Sequence, residues 1–272
     1  MRRLAIFAHY DSMNFIDKYV IYYLKELKKV SDLILFVSDS DVSKKEIKKL
    51  HNIADVSIIG KHNEYDFGSY KRGVLYALDN DLLHKYDELI FCNDSCFGPI
   101  SKRGFSDLFE TMNERNADFW GITINNFGLK YVDSECLYIK DLPHIQTFFI
   151  VFRKSCFLSI CFIEFMKQIT QKKKQDIVIQ YEIGLTKMLR DNNFTMDSYI
   201  PFNENEYSNP KIFKVSEISK NDFYFLKKTQ HKELIGEKLF LYNYPQSMIY
   251  SYSKRVLGIN YYKIFIYNKY IS

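Results

Sequence analysis

The sequence is short of the features that staple a chain or anchor it in a membrane. Its five cysteines (Cys92, Cys96, Cys136, Cys156, Cys161) are odd in number and form no C-x-x-C pair. That argues against a disulfide framework and against a zinc site. No stretch reaches the ~20 apolar residues of a membrane span. The opening apolar run, 4–8, is too short for a secretory signal and reads as a first strand. The glycine spacings of a Walker A loop and of a dinucleotide fingerprint are both missing. No block resembles a nucleic-acid recognition motif, so nucleic acid is not an expected partner. There is no internal repeat.

What is present describes a globular chain. The 272 residues are 47% hydrophobic and 26% charged, enough for one large α/β domain with a buried core. Aromatics are abundant, with 22 Tyr and 23 Phe against one Trp. Tyr-rich surfaces stack on sugars and bases, but most of these rings are expected in the core. Part of the net charge of +5 sits in lysine clusters at 28–29, 44–45, 48–49, 172–174 and 227–228. These read first as solvated helix faces and second as weak attraction to phosphates or anionic headgroups.

The first half alternates strand-like and helix-like segments. Residues 4–8, 33–37, 56–59, 88–92 and 118–124 read as strands. Residues 14–29, 44–50, 68–78 and 105–115 read as helices, with Ser43 as N-cap and Glu46 three residues on. This rhythm predicts a mostly parallel central sheet with helices on both faces, whose ligands bind beyond the carboxyl ends of the strands. Later, 146–152 reads as a strand, and 155–171 and 176–190 as helices. Residues 203–210 are loop-like by composition. For 250–272 two readings stand: a final helix packed on the domain, or an amphipathic segment lying on a membrane surface.

Three strand ends carry unusual polar chemistry. The fourth strand ends in Asn93-Asp94-Ser95, where a carboxylate is costly to desolvate unless paired or bound to a cation such as Mn²⁺ or Mg²⁺. Alternatively, Asp94 or Ser95 merely caps a turn. After the third strand, Gly68 and Ser69 are expected to open a helix whose free N–H groups favour anions, with Lys71 a turn inside it and Asp66 just before it. After the first strand, His9 and Asp11 form a turn or hold a base or ribose. By residue type, Glu182 and His144 are the candidate general bases. A lone histidine before a strand is more often structural, and a single helical glutamate usually faces solvent.

Taken in order, the segments 7–11 (FAHYD), 64–71 (EYDFGSYK), 86–95 (YDELIFCNDS), 118–121 (DFWG), 144–149 (HIQTFF) and 181–185 (YEIGL) resemble the rhamnan synthesis protein F family of polysaccharide glycosyltransferases. The resemblance runs from about residue 5 to residue 190. It implies a GT-A-like domain over 1–210, with a nucleotide-sugar half at 1–125, an acceptor-side half at 126–210 and an extension over 211–272. It further implies transfer of rhamnose or a related hexose from a dTDP-, UDP- or GDP-linked donor to a growing surface polysaccharide or lipid-linked glycan, with inversion. More distantly the chain resembles the GT-A fold, in which a D-x-D-like element after the fourth strand holds metal and diphosphate; here only Asp94 of Asn93-Asp94-Ser95 is a carboxylate. The location implied is cytoplasmic, with peripheral contact at the inner face of the membrane left open by 250–272.

Overall fold

The structure is a computed structural model that describes residues 1–99, 104–170, 172–202 and 225–227. Its centre is a seven-stranded sheet in the order β10-β6-β9-β4-β1-β2-β3. These strands are β1 (Arg3–His9), β2 (Leu33–Ser38), β3 (Val56–Ile59), β4 (Glu88–Asn93), β6 (Phe119–Gly121), β9 (Phe149–Arg153) and β10 (Met196–Ser198). Four of the pairings are parallel, and the two made by β9 are antiparallel. The expected mostly parallel sheet is therefore present.

The central strands read as continuous apolar runs because both faces are covered. Period-two alternation divides them. Leu4, Ile6 and Ala8 of β1 face α3 (Tyr65–Asp79) through Phe67, Tyr70, Val74 and Ala77. Ala5 and Phe7 face the opposite layer, where α1 (Lys18–Lys28) contributes Val20, Tyr23, Leu24 and Leu27, and α4 (Ser106–Asn113) contributes Leu108, Phe109 and Met112. The core is strongly aromatic, as the Tyr70–Phe91 stack at 4.4 Å shows.

The cap at Ser43 forms, with its hydroxyl accepting from Glu46 N at the start of α2 (Lys44–Ile47). The Glu46 carboxylate turns instead to Ile16 N at 2.7 Å. Several elements depart from expectation. α3 opens at Tyr65, so Gly68 and Ser69 lie inside its first turns. The segment 155–171 divides into α5 (Lys154–Phe157) and α6 (Ile160–Lys167), because Ser159 caps a new helix by accepting from Phe162 N. The segment read as a helix over 176–190 is α7 (Lys174–Ile177), a π-helical turn (Val178–Ile183) and α8 (Gly184–Asp191). An unforeseen hairpin joins β7 (Ile124–Val132) to β8 (Glu135–Ile145). Its turn is Asp133-Ser134, both at positive φ (49° and 70°), the conformation favoured between tightly paired strands.

Of the extension, only 225–227 is described. Phe225 is fully buried among Tyr23, Phe105, Phe148 and Phe149. β11 (Leu226–Lys227) pairs antiparallel with β5 (Cys96–Phe97). The loop at 203–210 and the segment 250–272 lie outside the described residues. Among the described residues, no helix is long and apolar enough to cross a membrane.

Candidate active site

A cleft of about 930 Å³ opens at the carboxyl ends of β1, β2 and β4, roofed by the hairpin and the π-helical turn. β1 pairs with β2 on one side and β4 on the other, so the crevice lies where the strand order reverses. Open α/β sheets bind ligands at that point.

The floor is held by paired side chains. His9 Nδ1 lies 2.9 Å from Ser38 Oγ. Asp39 Oδ1 accepts from His62 N at 2.5 Å and Asn63 N at 2.8 Å, pinning the loop after β3. His62 Nδ1 accepts from Glu64 N at 3.1 Å, which leaves Nε2–H to donate to Ser69 Oγ at 3.0 Å. Burial holds the His62 imidazole below its usual range, helped by Arg72 and opposed by Asp39 and Glu64. The ring therefore acts as a neutral strut.

Four carboxylates, Asp39, Asp66, Asp94 and Glu182, line the cleft. Asp66 Oδ2 accepts from Asn93 Nδ2 at 2.7 Å. Asn93 Oδ1 accepts from Ser95 N at 3.0 Å and Ser95 Oγ at 2.6 Å. Asn93 thus ties the start of α3 to the turn after β4. Asp94 Oδ2 accepts from Tyr19 Oη at 3.2 Å. Burial pushes the Asp66 carboxyl up from 3.8 to about 6, with the Glu182 and Asp94 charges adding and the Asn93 hydrogen bond opposing. Glu182 lies in the π-helical turn, a helix form enriched at functional sites. His144 is buried, and its Nδ1 lies 2.6 Å from the Leu142 carbonyl oxygen. A carbonyl only accepts, so Nδ1 is the donor of this contact and Nε2 is the ring nitrogen with room to accept.

His9, Asp66, Ser69, Asn93, Asp94, Ser95, His144 and Glu182 therefore share one cleft, drawn from both halves of the chain. Asp11, Gly68 and Lys71 are not part of its lining. Asp11 Oδ1 accepts from Met13 N and Phe15 N, the turn-forming alternative. A Cβ at Gly68 would collide with Glu64 and with the His62 ring, so this glycine lets the strut pack. Lys71 Nζ donates to Ile169 O at 2.7 Å, a consequence of α3 starting three residues earlier than expected. The ammonium groups that do line the cleft are Lys172 and Lys174.

The family model for rhamnan synthesis protein F matches residues 34–264, most of the chain and most of the elements that frame the cleft. The chain belongs to the rhamnan synthesis protein F family. Among curated relatives, it is 28% identical to protein y4gN of Sinorhizobium fredii over 170 residues, 62% of this chain and 41% of that one. It is 39% identical to virulence protein VirA of Vibrio anguillarum over 72 residues, 26% of this chain and 21% of that one. The chain thus spans about two fifths or less of the length of these relatives.

Solved structures give distant likenesses. S. aureus TarS has a TM-score of 0.46 at 9% identity, over 91% of this chain and 66% of that one. A 4-diphosphocytidyl-2C-methyl-D-erythritol synthase has 0.44 at 12%, over 76% and 93%. Core-mannan synthase A of Aspergillus fumigatus, in an Mn/GDP form, has 0.40 at 11%, over 72% of each chain. At this distance the fold assignment stands on the sheet order itself.

For this family member, sequence reasoning missed Asp39, His62, Gln146 and the hairpin residues Phe127, Leu129 and Tyr138. It read the 172–174 lysine cluster first as solvated charge and only second as attraction to phosphates. The hairpin had a legible signal in its Asp-Ser turn between alternating segments. His62 had none, since its partner Ser69 is seven residues away on a different element.

Proposed function

We propose that this family member is a glycosyltransferase that moves a sugar from a nucleotide-diphosphate donor to a growing surface polysaccharide or lipid-linked glycan, with rhamnose or a related hexose as the sugar. Family membership supports the reaction class. The observation that carries the site is the meeting of Asp66, Asn93, Asp94 and Glu182 at the switch-point crevice.

In this reading Glu182 accepts the proton of the acceptor hydroxyl as its oxygen attacks the anomeric carbon, and the bond to the donor diphosphate breaks with inversion. His144, with Nε2 able to accept, is the second candidate for that proton. His9 and the Asp66–Asn93–Ser95 chain orient the donor, and Lys172 and Lys174 offset the charge of the departing diphosphate. Among the described residues, no group of three His, Cys, Asp or Glu is gathered to hold a metal by itself. Burial first, and then the charges of Glu182 and Asp94, raise the Asp66 carboxyl, so a cation would be favourable in this cleft and Asp94 is the residue that would hold it. Mn²⁺ or Mg²⁺, when bound, would supply charge neutralisation to the leaving group.

Donor turnover with a panel of dTDP-, UDP- and GDP-sugars and glycan acceptors tests this. Release of a nucleoside diphosphate is expected. Glu182→Gln should lower the rate ~10²–10⁴-fold with donor binding kept. Near-normal turnover in that variant removes Glu182 from the role. Donor that stays intact across the panel marks a binding module instead.

A further inference from the structure

The nucleotide half of the cleft carries two aromatic side chains that the core does not use. Tyr10 follows β1 and is 55% exposed; Tyr65 opens α3 and is 46% exposed. Both line the cleft. Tyr10 continues the even-numbered series Leu4, Ile6 and Ala8, the face of β1 that α3 covers. Both residues therefore stand at the carboxyl end of one face of the sheet, beside the crevice. Among the described residues most other aromatic rings are buried or packed on one another, and Tyr138, a third exposed ring of the cleft, is stacked on Phe127, so the open rings of Tyr10 and Tyr65 call for a ligand with a flat face.

Tyr65 has a second distinguishing feature. Its φ is +55°, a left-handed conformation that bulky L-residues rarely adopt. The surroundings enforce it. Asp39 pins His62 N and Asn63 N, Asn63 itself lies at φ +58°, and His62 Nδ1 fixes Glu64 N. This hydrogen-bonded loop leads directly into Tyr65, which lines the cleft. Such strain concentrates at ligand sites, where the surrounding structure over-determines it. A nearby carboxylate, Asp66, and the Asn93–Ser95 turn occupy the deeper floor, leaving the rim to the part of the ligand that has no charge.

We propose that Tyr65 and Tyr10 are the nucleobase-binding residues of the donor site, with the base stacked on the Tyr65 ring. The inference rests on the nucleotide-diphosphate reading above and adds to it the residues that recognise the base. Base–aromatic stacking depends on the ring rather than on hydrogen-bond readout, so it tolerates different bases. Tyr65 and Tyr10 thus set affinity for the base, and the neighbouring polar groups choose among bases.

Calorimetric titration with UDP, dTDP, GDP and inorganic pyrophosphate tests this on the full chain. Tyr65→Gly removes the ring and accepts the positive φ without strain; Tyr65→Phe keeps the ring; Tyr10→Ala removes the second ring. Tyr65→Gly and Tyr10→Ala should each weaken the preferred nucleoside diphosphate about 5- to 100-fold. Tyr65→Phe should stay within about threefold of the parent protein, and pyrophosphate binding should be the same in all four proteins. Unchanged nucleoside diphosphate binding in both ring-deleted variants overturns the inference and leaves the donor reading intact. So does an equal loss for pyrophosphate, which would show that the rings only support the floor. A parent protein that binds pyrophosphate but gains nothing from any base overturns it too. If the parent protein binds none of the four ligands, the donor reading fails and the inference with it.

Discussion

Replacing Asp66 by asparagine should stabilise the protein at neutral pH while impairing the site. The Asp66 carboxyl titrates at about 6 in the fold against 3.8 ordinarily, through burial first and then the charges of Glu182 and Asp94. A raised native value means that the fold prefers the protonated form. The stability cost is absent below about pH 4, grows as pH rises from about 4 to 6, and is complete above 6. A change of this size corresponds to ~3 kcal/mol. Asp66 keeps part of its surface open to the cleft, so screening reduces the expected cost to ~2 kcal/mol. An amide at position 66 still offers an oxygen to Asn93 Nδ2, so the 2.7 Å hydrogen bond need not be lost. Asp66→Asn should therefore raise the melting temperature by roughly 4–8 °C at pH 7.5. The gain should shrink toward zero near pH 4. Scanning fluorimetry of both proteins from pH 4 to 8 measures it. A variant no more stable at pH 7.5, or a gap that ignores pH, would refute the electrostatic account of the cleft. Nucleotide binding should fall in the same variant, the trade expected where a site holds unfavourable charge for a ligand.

Two further outcomes follow from the packing and charge. Phe225→Ala empties a fully enclosed aromatic position between Tyr23, Phe105, Phe148 and Phe149, so urea unfolding should show a loss of about 3 kcal/mol. A loss under ~1 kcal/mol would show that this stretch of the extension contributes little to the domain. The double variant Lys172→Ala with Lys174→Ala should weaken nucleoside diphosphate binding about tenfold or more and flatten its salt dependence, measured by titration at 50 and 300 mM salt. Unaltered salt dependence would remove these lysines from the diphosphate.

The sheet was legible because its strands are nearly pure apolar runs, and a run such as Leu89-Ile90-Phe91-Cys92 has few alternatives to a buried parallel strand. The helix N-termini were less so. Gly68-Ser69 looks like a helix start, but Tyr65 begins the helix at φ +55°, after a loop tied down by the Asp39 and His62 contacts. That three-residue difference carried Lys71 away from the site. The break at Ser159 and the π-helical turn at Val178–Ile183 were hidden because apolar residues continue through both. Pairings between distant segments, such as Asp66 with Asn93, leave no mark in local spacing.

The Asn93-Asp94-Ser95 turn shows how such a pairing changes the meaning of a motif. Read locally, it has one carboxylate where a D-x-D-like element would have two. In the fold, the amide of Asn93 is engaged at both ends, by Asp66 through Nδ2 and by Ser95 through Oδ1. An aspartate at position 93 would have no donor to offer Asp66 and would add a further negative charge beside it, in a cleft where burial, and then the charges of Glu182 and Asp94, already raise the Asp66 carboxyl. Asparagine is the residue that lets α3 bring its own carboxylate to the turn. The cleft thus keeps two carboxylates at the end of β4, Asp94 from the turn and Asp66 from the start of α3. The departure visible in the sequence relocates a charge more than it removes one.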